Sequence, residues 1–295
     1  VEEIKLIANK HNILLIEDCA HTFGGSYKGI SAGYFGDFGI YSFGPVKFPT
    51  GISSGALLFS DANWKPRFIE ILESLDKPRR LRIILETLRY FTLKLLLSKY
   101  IFAVFTINCI KLLNLNISLY LKHILGKKQH IAQSSGSQLF LFDNISQVKE
   151  KAPPIFEQPN APQMNMLLSQ LNYYQSVYSI RVENARKLML KLSKQNIYGL
   201  PALPEPGEYH SFWQFPLRVK NKNKFISYML NRNIDLCGLL FLRSYNKDYN
   251  GENCRILEIA DSVSDEIVYI PIFPNINMIE LDYIVAAIID YYNCK

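Results

Sequence analysis

"LLIEDCAHTFGGSYKGISAGYFGDFGIYSFGPVK", Leu14 to Lys47, is the stretch whose reading decides the fold. It opens inside an apolar run of strand length, Ile13 to Ile16, that ends in the acids Glu17 and Asp18. A half-exposed strand would alternate; a continuous run predicts a buried strand of a parallel sheet. After a glycine-rich turn, Gly36 to Phe43 predicts a second strand, and Ser54 to Ser60 a third. Strands this close, with no helix between them, predict an antiparallel or mixed part of a sheet. Upstream, Val1 to Lys10 carries Ile4, Leu6, Ile7 and Ala8 among charges and predicts a weakly amphipathic helix ending near Asn12. Just past the second strand, Lys47 stands between Pro45 and Pro49. A solvated lysine needs no such rigid frame. A lysine that must meet a carbonyl carbon at a fixed point does.

Three positions in this stretch carry usable chemistry. Asp18, at a strand end, serves equally well as a turn cap or as an anion at the carboxyl edge of a sheet, where α/β proteins bind ligands. Ser42 and the glycine-flanked backbone after it can donate to a phosphate. A lysine held in an apolar pocket has a depressed pKa and becomes nucleophilic toward aldehydes. Singly, each is explained as structural or solvated. Together, an acid, a hydroxyl and a lysine at successive strand ends match what pyridoxal 5'-phosphate demands: an imine-forming amine, a carboxylate for the pyridine nitrogen, and phosphate donors. His21 on its own reads as a core histidine.

The same residues resemble the DegT/DnrJ/StrS family of pyridoxal-phosphate-dependent nucleotide-sugar aminotransferases. The family's Asp-x-Ala-(Gln/His) step is matched by Asp18-Cys19-Ala20-His21, and its Gly-Asp to Ser-Phe-x-x-x-Lys step by Gly36-Asp37, Ser42-Phe43 and Lys47. The likeness resumes from Gln170-Leu171 to Arg181 and over "IVYIPIFPNINMIELDYIVAAI", residues 267 to 288. It implies an α/β chain of fold-type I. Residues 1–65 would be the remainder of the large mixed-sheet domain, 66–150 a helical insert and linker, and 151–295 a connecting helix with a smaller α+β carboxy-terminal domain. By position, the resemblance makes Lys47 the Schiff-base lysine, Asp18 the partner of the pyridinium nitrogen, His21 a neighbour of the ring, and Ser42 a phosphate donor. It further implies nucleotide-sugar and amino-acid substrates, glutamate as amino donor, a homodimer, a cytoplasmic setting in glycan biosynthesis, and an amino-terminal portion preceding Val1.

There are departures from the family's pattern. Its Gly-Glu-Gly-Gly-like turn after the lysine is Ile52-Ser53-Ser54-Gly55 here, and its Asn-Tyr-Arg step falls at Phe156-Glu157-Gln158. Related sugar dehydratases replace the lysine with histidine, so Lys47 favours transamination. A catalytically degenerate or regulatory homologue and a membrane-associated scaffold are the remaining alternatives.

Bulk properties narrow the rest. With 295 residues, 48% of them hydrophobic, the chain can bury a sizeable core. Five widely spaced cysteines (Cys19, Cys109, Cys237, Cys254, Cys294) without a CxxC pair argue against a disulfide framework or a zinc site, and no metal is expected. The net charge of +7 is unevenly placed. Lys65 to Lys128 holds thirteen Lys/Arg and four acids, a surplus of nine, leaving −2 elsewhere. This surplus lies among leucines and isoleucines rather than aromatic or polar readers, which argues against a nucleic-acid face. It predicts either packed helices or a peripheral membrane contact through residues 80–128, at the cytoplasmic face. Residues 131–162 predict a linker, Gln163 to Lys194 one long helix, "SFWQFPLRV" a strand, and "VYIPIF" another, stopped by Pro274. A final helix starts at a capping box, Asn277 with Glu280, and buries Leu281, Ile284, Val285 and Ile288.

Overall fold

The computed structural model describes residues 1–112, 157–195, 197–202, 204–236 and 258–293. The readings made for 113–156, the far part of the insert and most of the linker, lie outside these residues. The chain divides into two compact units, the first built from Val1–Lys94, Phe156–Asn184 and Ala202–Trp213, the second from the remainder.

The first unit begins with helix α1 (Glu2–Lys10) and strand β1 (Ile16–Asp18). β1 runs parallel to β4 (Phe38–Phe43), pairing Ile16 with Phe38 and Asp18 with Ile40. β4 is antiparallel to β5 (Ser54–Phe59), from Phe38 opposite Phe59 to Phe43 opposite Ser54. The sheet is therefore mixed, in the order β1-β4-β5, as the strand spacing requires. The predicted burial of the first strand is not met. Ile13, Leu14 and Ile16 are exposed, and β1 is only three residues long. A parallel strand is buried when other elements cover both its faces. Among the described residues β1 has one sheet neighbour, β4, and its apolar side chains remain open.

The acids around β1 explain why its alignment with β4 holds. The Asp37 carboxylate accepts from the Leu15 amide at 2.7 Å and from Lys5 Nζ at 2.8 Å, and these donors push its pKa down. Glu17 accepts from the amides of Gly33, Phe35 and Gly36 at 3.0, 2.7 and 2.6 Å, tying the loop before β4 to β1. At Gly36 a Cβ would sit 2.6 Å from the Leu15 carbonyl oxygen, so the close approach requires glycine. Between β1 and β4, a hairpin of β2 (Ser26–Tyr27) and β3 (Ile30–Ser31) extends to β6 (Glu208–Tyr209), giving a second sheet in the order β3-β2-β6.

Beyond β5 the described residues up to Leu112 are mainly helical: α2 (Trp64–Ser74), α3 (Arg80–Leu96) and α4 (Lys99–Ile101). A π-helical stretch, Phe102–Thr106, then leads into α5 (Ile107–Leu112). No single described helix is long and apolar enough to cross a membrane; Arg80–Leu96 with Lys99–Cys109 meets the length and composition only as a bent pair. The predicted long helix from Gln163 is instead two, α6 (Ala161–Leu171) and α7 (Tyr174–Ser193). Asn160 starts α6 by accepting from the Gln163 amide at 3.0 Å, with Pro162 in the first turn. At the other end the Tyr173 amide bonds the Gln170 carbonyl, a tightened last turn that ends the helix before α7 begins.

The second unit pairs β7 (Phe215–Arg218) antiparallel with β8 (Ile267–Ile270), flanked by α8 (Lys222–Asn231), α9 (Glu258–Glu266) and α10 (Met278–Asn293). Its core holds Leu188, Leu192, Phe215, Phe225, Met229 and Ile288, each with no exposed surface. β8 ends at Ile270, earlier than predicted, because Pro271 has no amide hydrogen to continue the ladder. The capping box is as predicted: the Asn277 amide donates to Glu280 and the Glu280 amide to Asn277 Oδ1, both at 2.9 Å. Leu281, Ile284, Val285 and Ile288 are buried.

Candidate active site

Lys47 lies in a loop that several independent bonds hold rigid. Its own amide bonds the Gly44 carbonyl at 3.0 Å, and the Gly51 amide returns to Phe43 at 2.9 Å. Thr50 is buried, and its hydroxyl donates to the Gly44 carbonyl at 2.8 Å. The Gln170 carboxamide on α6 grips the same residue twice, accepting from the Thr50 amide at 3.2 Å and donating to its carbonyl at 2.8 Å. From α7, the Tyr178 hydroxyl donates to the Phe48 carbonyl at 2.5 Å. The Tyr178 ring lies against Gly24, where a Cβ would collide with it, and Gly24 has φ +82°. Phe23 joins Tyr41, Phe43, Tyr174 and Tyr178 in one aromatic cluster, with ring centroids 5.2 to 6.2 Å from its own.

On this base the Lys47 amine is out of water and has no hydrogen-bond partner among the described residues. Burial pushes its pKa down to about 8, against the pull of the Asp18 carboxylate. The face of the Trp213 indole lies 3.5 Å from Nζ, a contact that also favours the charged amine. The His21 ring meets Trp213 edge-on, with centroids 4.0 Å apart. Burial and then the Lys47 charge push the His21 pKa down, while Asp18 opposes both. Asp18, at the end of β1, accepts from the Ala20 amide at 3.0 Å, an Asx turn that fixes the carboxylate at the sheet edge.

Of the four sequence-predicted residues, Asp18, His21 and Lys47 therefore share one electrostatic neighbourhood. Ser42 sits on β4 opposite Gly55 and is half-buried. The departure after Lys47 has a structural consequence. Ile52 has φ +66°, a left-handed conformation that glycine adopts freely and a β-branched residue does not. It is held there by burial and by the Thr50 hydroxyl, which accepts from its amide at 3.0 Å.

Sequence reasoning missed Trp213. It reaches Lys47 because β6 pairs with β2, Ser26 opposite Tyr209, and the Lys28 amide bonds the Gly207 carbonyl at 2.6 Å. The one available signal was an aromatic pair, Phe212-Trp213, inside the stretch read as a strand, where aromatics are ordinarily core; the strand itself begins only at Phe215.

The residues present fit the amine-binding part of a pyridoxal phosphate site. A buried amine without a hydrogen bond is expensive to maintain unless another group completes it. The carboxylate and imidazole beside it suit a cationic aromatic nitrogen and a ring hydroxyl.

Residues 1–76 match the model of the DegT/DnrJ/EryC1/StrS aminotransferase family. A UDP-4-amino-4,6-dideoxy-N-acetyl-beta-L-altrosamine transaminase of Campylobacter jejuni (strain 81-176) is 43% identical over 58 residues, 20% of this chain and 15% of that protein. A GDP-perosamine synthase of Escherichia coli O157:H7 is 39% identical over 61 residues, 21% of this chain and 17% of that protein. Among solved structures, a DegT DnrJ EryC1 StrS aminotransferase from Brucella abortus superposes with a TM-score of 0.60 at 18% identity, covering 98% of this chain and 60% of that one. The chain thus has the fold of these fold-type I aminotransferases, spans about three-fifths of the solved one's length, and matches less than a fifth of either curated relative.

Proposed function

We propose that this chain carries the lysine-bearing part of a pyridoxal-phosphate-dependent aminotransferase that moves an amino group from an amino acid, glutamate by preference, to a keto sugar on a nucleotide. The observation that carries the reading is the Lys47 amine: buried, without a hydrogen bond, and next to Asp18 and His21 at the sheet's carboxyl edge. The relatives' names, an amino-sugar transaminase and a sugar synthase, support the substrate class.

When bound, the cofactor supplies an aldehyde carbon for the amine and a ring that accepts electron density from the substrate carbon. The chain's own residues do the rest. Lys47, titrating near 8, is about one-tenth neutral at pH 7, where an ordinary lysine is neutral in fewer than about one molecule in a thousand. It is therefore available both as nucleophile and as the base that carries a proton between substrate and cofactor carbons. Asp18 would hold a proton on the ring nitrogen. His21, whose pKa is lowered, is predominantly neutral at pH 7 and can donate or accept one hydrogen bond at the ring's edge. The tightly bonded Phe43–Gly51 loop keeps Nζ in place through the cycle.

The enzyme acts as a cytoplasmic homodimer in glycan assembly. It also rests peripherally on the inner membrane face through the exposed apolar side of α3, which carries Leu81, Ile84, Leu88 and Phe91.

Incubating the purified protein with pyridoxal phosphate, reducing with borohydride and mapping the peptides tests the core of the reading. The modified peptide should contain Lys47, and a panel of nucleotide-linked keto sugars should reveal an acceptor. Label on another lysine, or none, would overturn it.

A further inference from the structure

Trp213 has no part in the reaction as described, yet the fold goes to some length to place it. β6 ties Glu208–Tyr209 to β2, and four residues later the indole covers the Lys47 amine at 3.5 Å. Between them Phe212 is buried in a left-handed conformation, φ +45°, unusual for an aromatic residue. Its amide donates to His210 Nδ1 at 2.9 Å, and the two rings lie 4.5 Å apart. Backbone strain of this kind persists only where the surroundings over-determine it, and here it sets the direction of the next side chain. That side chain touches two members of the proposed site, with Lys47 over its face and the His21 ring against it.

We infer that Trp213 is a positioning residue for Lys47: its indole face holds the amine in a capped, closed arrangement against His21, and must leave the amine before that amine can meet a carbonyl carbon. The inference rests on the amine-centred reading above but needs no bound cofactor. A cation over an indole face is attracted to it, so the cap is tightest on the protonated amine and loosens as the proton leaves. The cap thus opens in step with the protonation state that makes the amine nucleophilic. Among the described residues, Asp18, from the end of β1, and His21, from the turn after it, are the charged and titratable groups that face this amine. His210 faces the backbone that aims the indole.

The chain contains two tryptophans, Trp64 and Trp213, so Trp64→Phe leaves one reporter. In that background the Trp213 emission should titrate with a midpoint near 8, and the step should vanish in Lys47→Met. A separate step below pH 6.5 should be altered by His21→Asn or His210→Asn without moving the first. Independently, competitive acylation with acetic anhydride at pH 8, read by mass spectrometry, should modify Lys47 several-fold faster in Trp213→Ala. Trp213→Phe, which keeps an aromatic face, should stay near the parent rate. Emission that is flat from pH 7 to 9, a step that survives Lys47→Met, or a Trp213→Ala rate unchanged at Lys47 would overturn the inference. So would a gain shared by all lysines, which marks general loosening. Neither readout involves pyridoxal phosphate, so a failed borohydride trap with an intact titration step sinks the functional reading and leaves the cap standing.

Discussion

At the scale of single residues, the Leu14–Lys47 stretch sorts its acids by job. Glu17 and Asp37 are consumed in bonds to backbone amides and Lys5, which leaves Asp18 as the acid facing Lys47. Asp18→Asn should keep the fold and the borohydride label on Lys47 while turnover falls by about 10²-fold or more, because an amide cannot hold the ring nitrogen protonated. The same variant removes the charge that holds the Lys47 pKa up, so the midpoint of Trp213 emission should move to lower pH. Near-normal turnover, or an unmoved midpoint, would remove Asp18 from this role. The lysine itself makes a stability prediction whose sign is fixed. Its folded pKa of about 8 lies below the ordinary 10.5, so between those values the unfolded chain binds more protons and stability rises with pH. The cost of burying the charge is fully present below pH 8 and gone above 10.5. Lys47→Met should therefore melt at a higher temperature than the parent at pH 7, by a margin that shrinks from pH 8 to 10.5. A margin constant across that range would mean the amine is not desolvated.

At the scale of elements, the motif was legible because its spacing is local. Asp18, His21, Ser42 and Lys47 lie within thirty residues, and the mixed sheet follows from strands too close for crossovers. What was not legible was what holds the loop from far away. Nothing in the local pattern of Gln170 or Tyr178 says that α6 and α7 clamp Thr50 and Phe48, 120 and 130 residues earlier, since a helix periodicity gives a face and not its partner. Trp213 was hidden for the same reason, because pairing of a two-residue strand with β2 carries no sequence signature. Ile52 is the reverse case. Its departure from the family's glycine-rich turn was visible in the sequence, but only φ +66° shows that the backbone kept a glycine-like shape around a different side chain. The clamp has a measurable value. Gln170→Leu would strand the buried Thr50 amide and carbonyl, each costing about 1–3 kcal/mol, so a loss of roughly 2–4 kcal/mol in urea unfolding is expected. A loss under about 0.5 kcal/mol would show that the loop is held by its own bonds alone.

At the scale of the whole molecule, the unequal charge distribution is the feature that the aminotransferase reading leaves unused. Along α3 the residues Leu81, Ile84, Leu88, Phe91 and Leu95 repeat at alternating steps of three and four, and each is more than half exposed. That spacing lays one continuous apolar stripe along the helix. Arg80 and Arg89 fall on its two borders, and from Lys77 to Lys94 there are six basic residues against the single acid Glu86. An apolar sector edged by arginines is the pattern of a helix lying in a membrane interface, its leucines at the headgroup boundary and its cations on anionic lipid. Each such cation contributes about 1 kcal/mol near an anionic leaflet and little at high salt. A second copy of the chain could use the same stripe, but arginines on both borders would then face like charges unless the partner brought acids, and Glu86 is already engaged by Arg82. Co-sedimentation with vesicles decides between these occupants. The protein should pellet with phosphatidylglycerol-containing vesicles at low salt, fail to pellet with phosphatidylcholine alone, and release as salt rises. Ile84→Glu with Leu88→Glu, both on the exposed stripe, should abolish pelleting while leaving the borohydride label on Lys47 and the oligomeric state unchanged. Pelleting that ignores lipid charge, no pelleting at all, or a double variant that instead changes the oligomeric state would assign the stripe to protein contact and overturn the membrane reading.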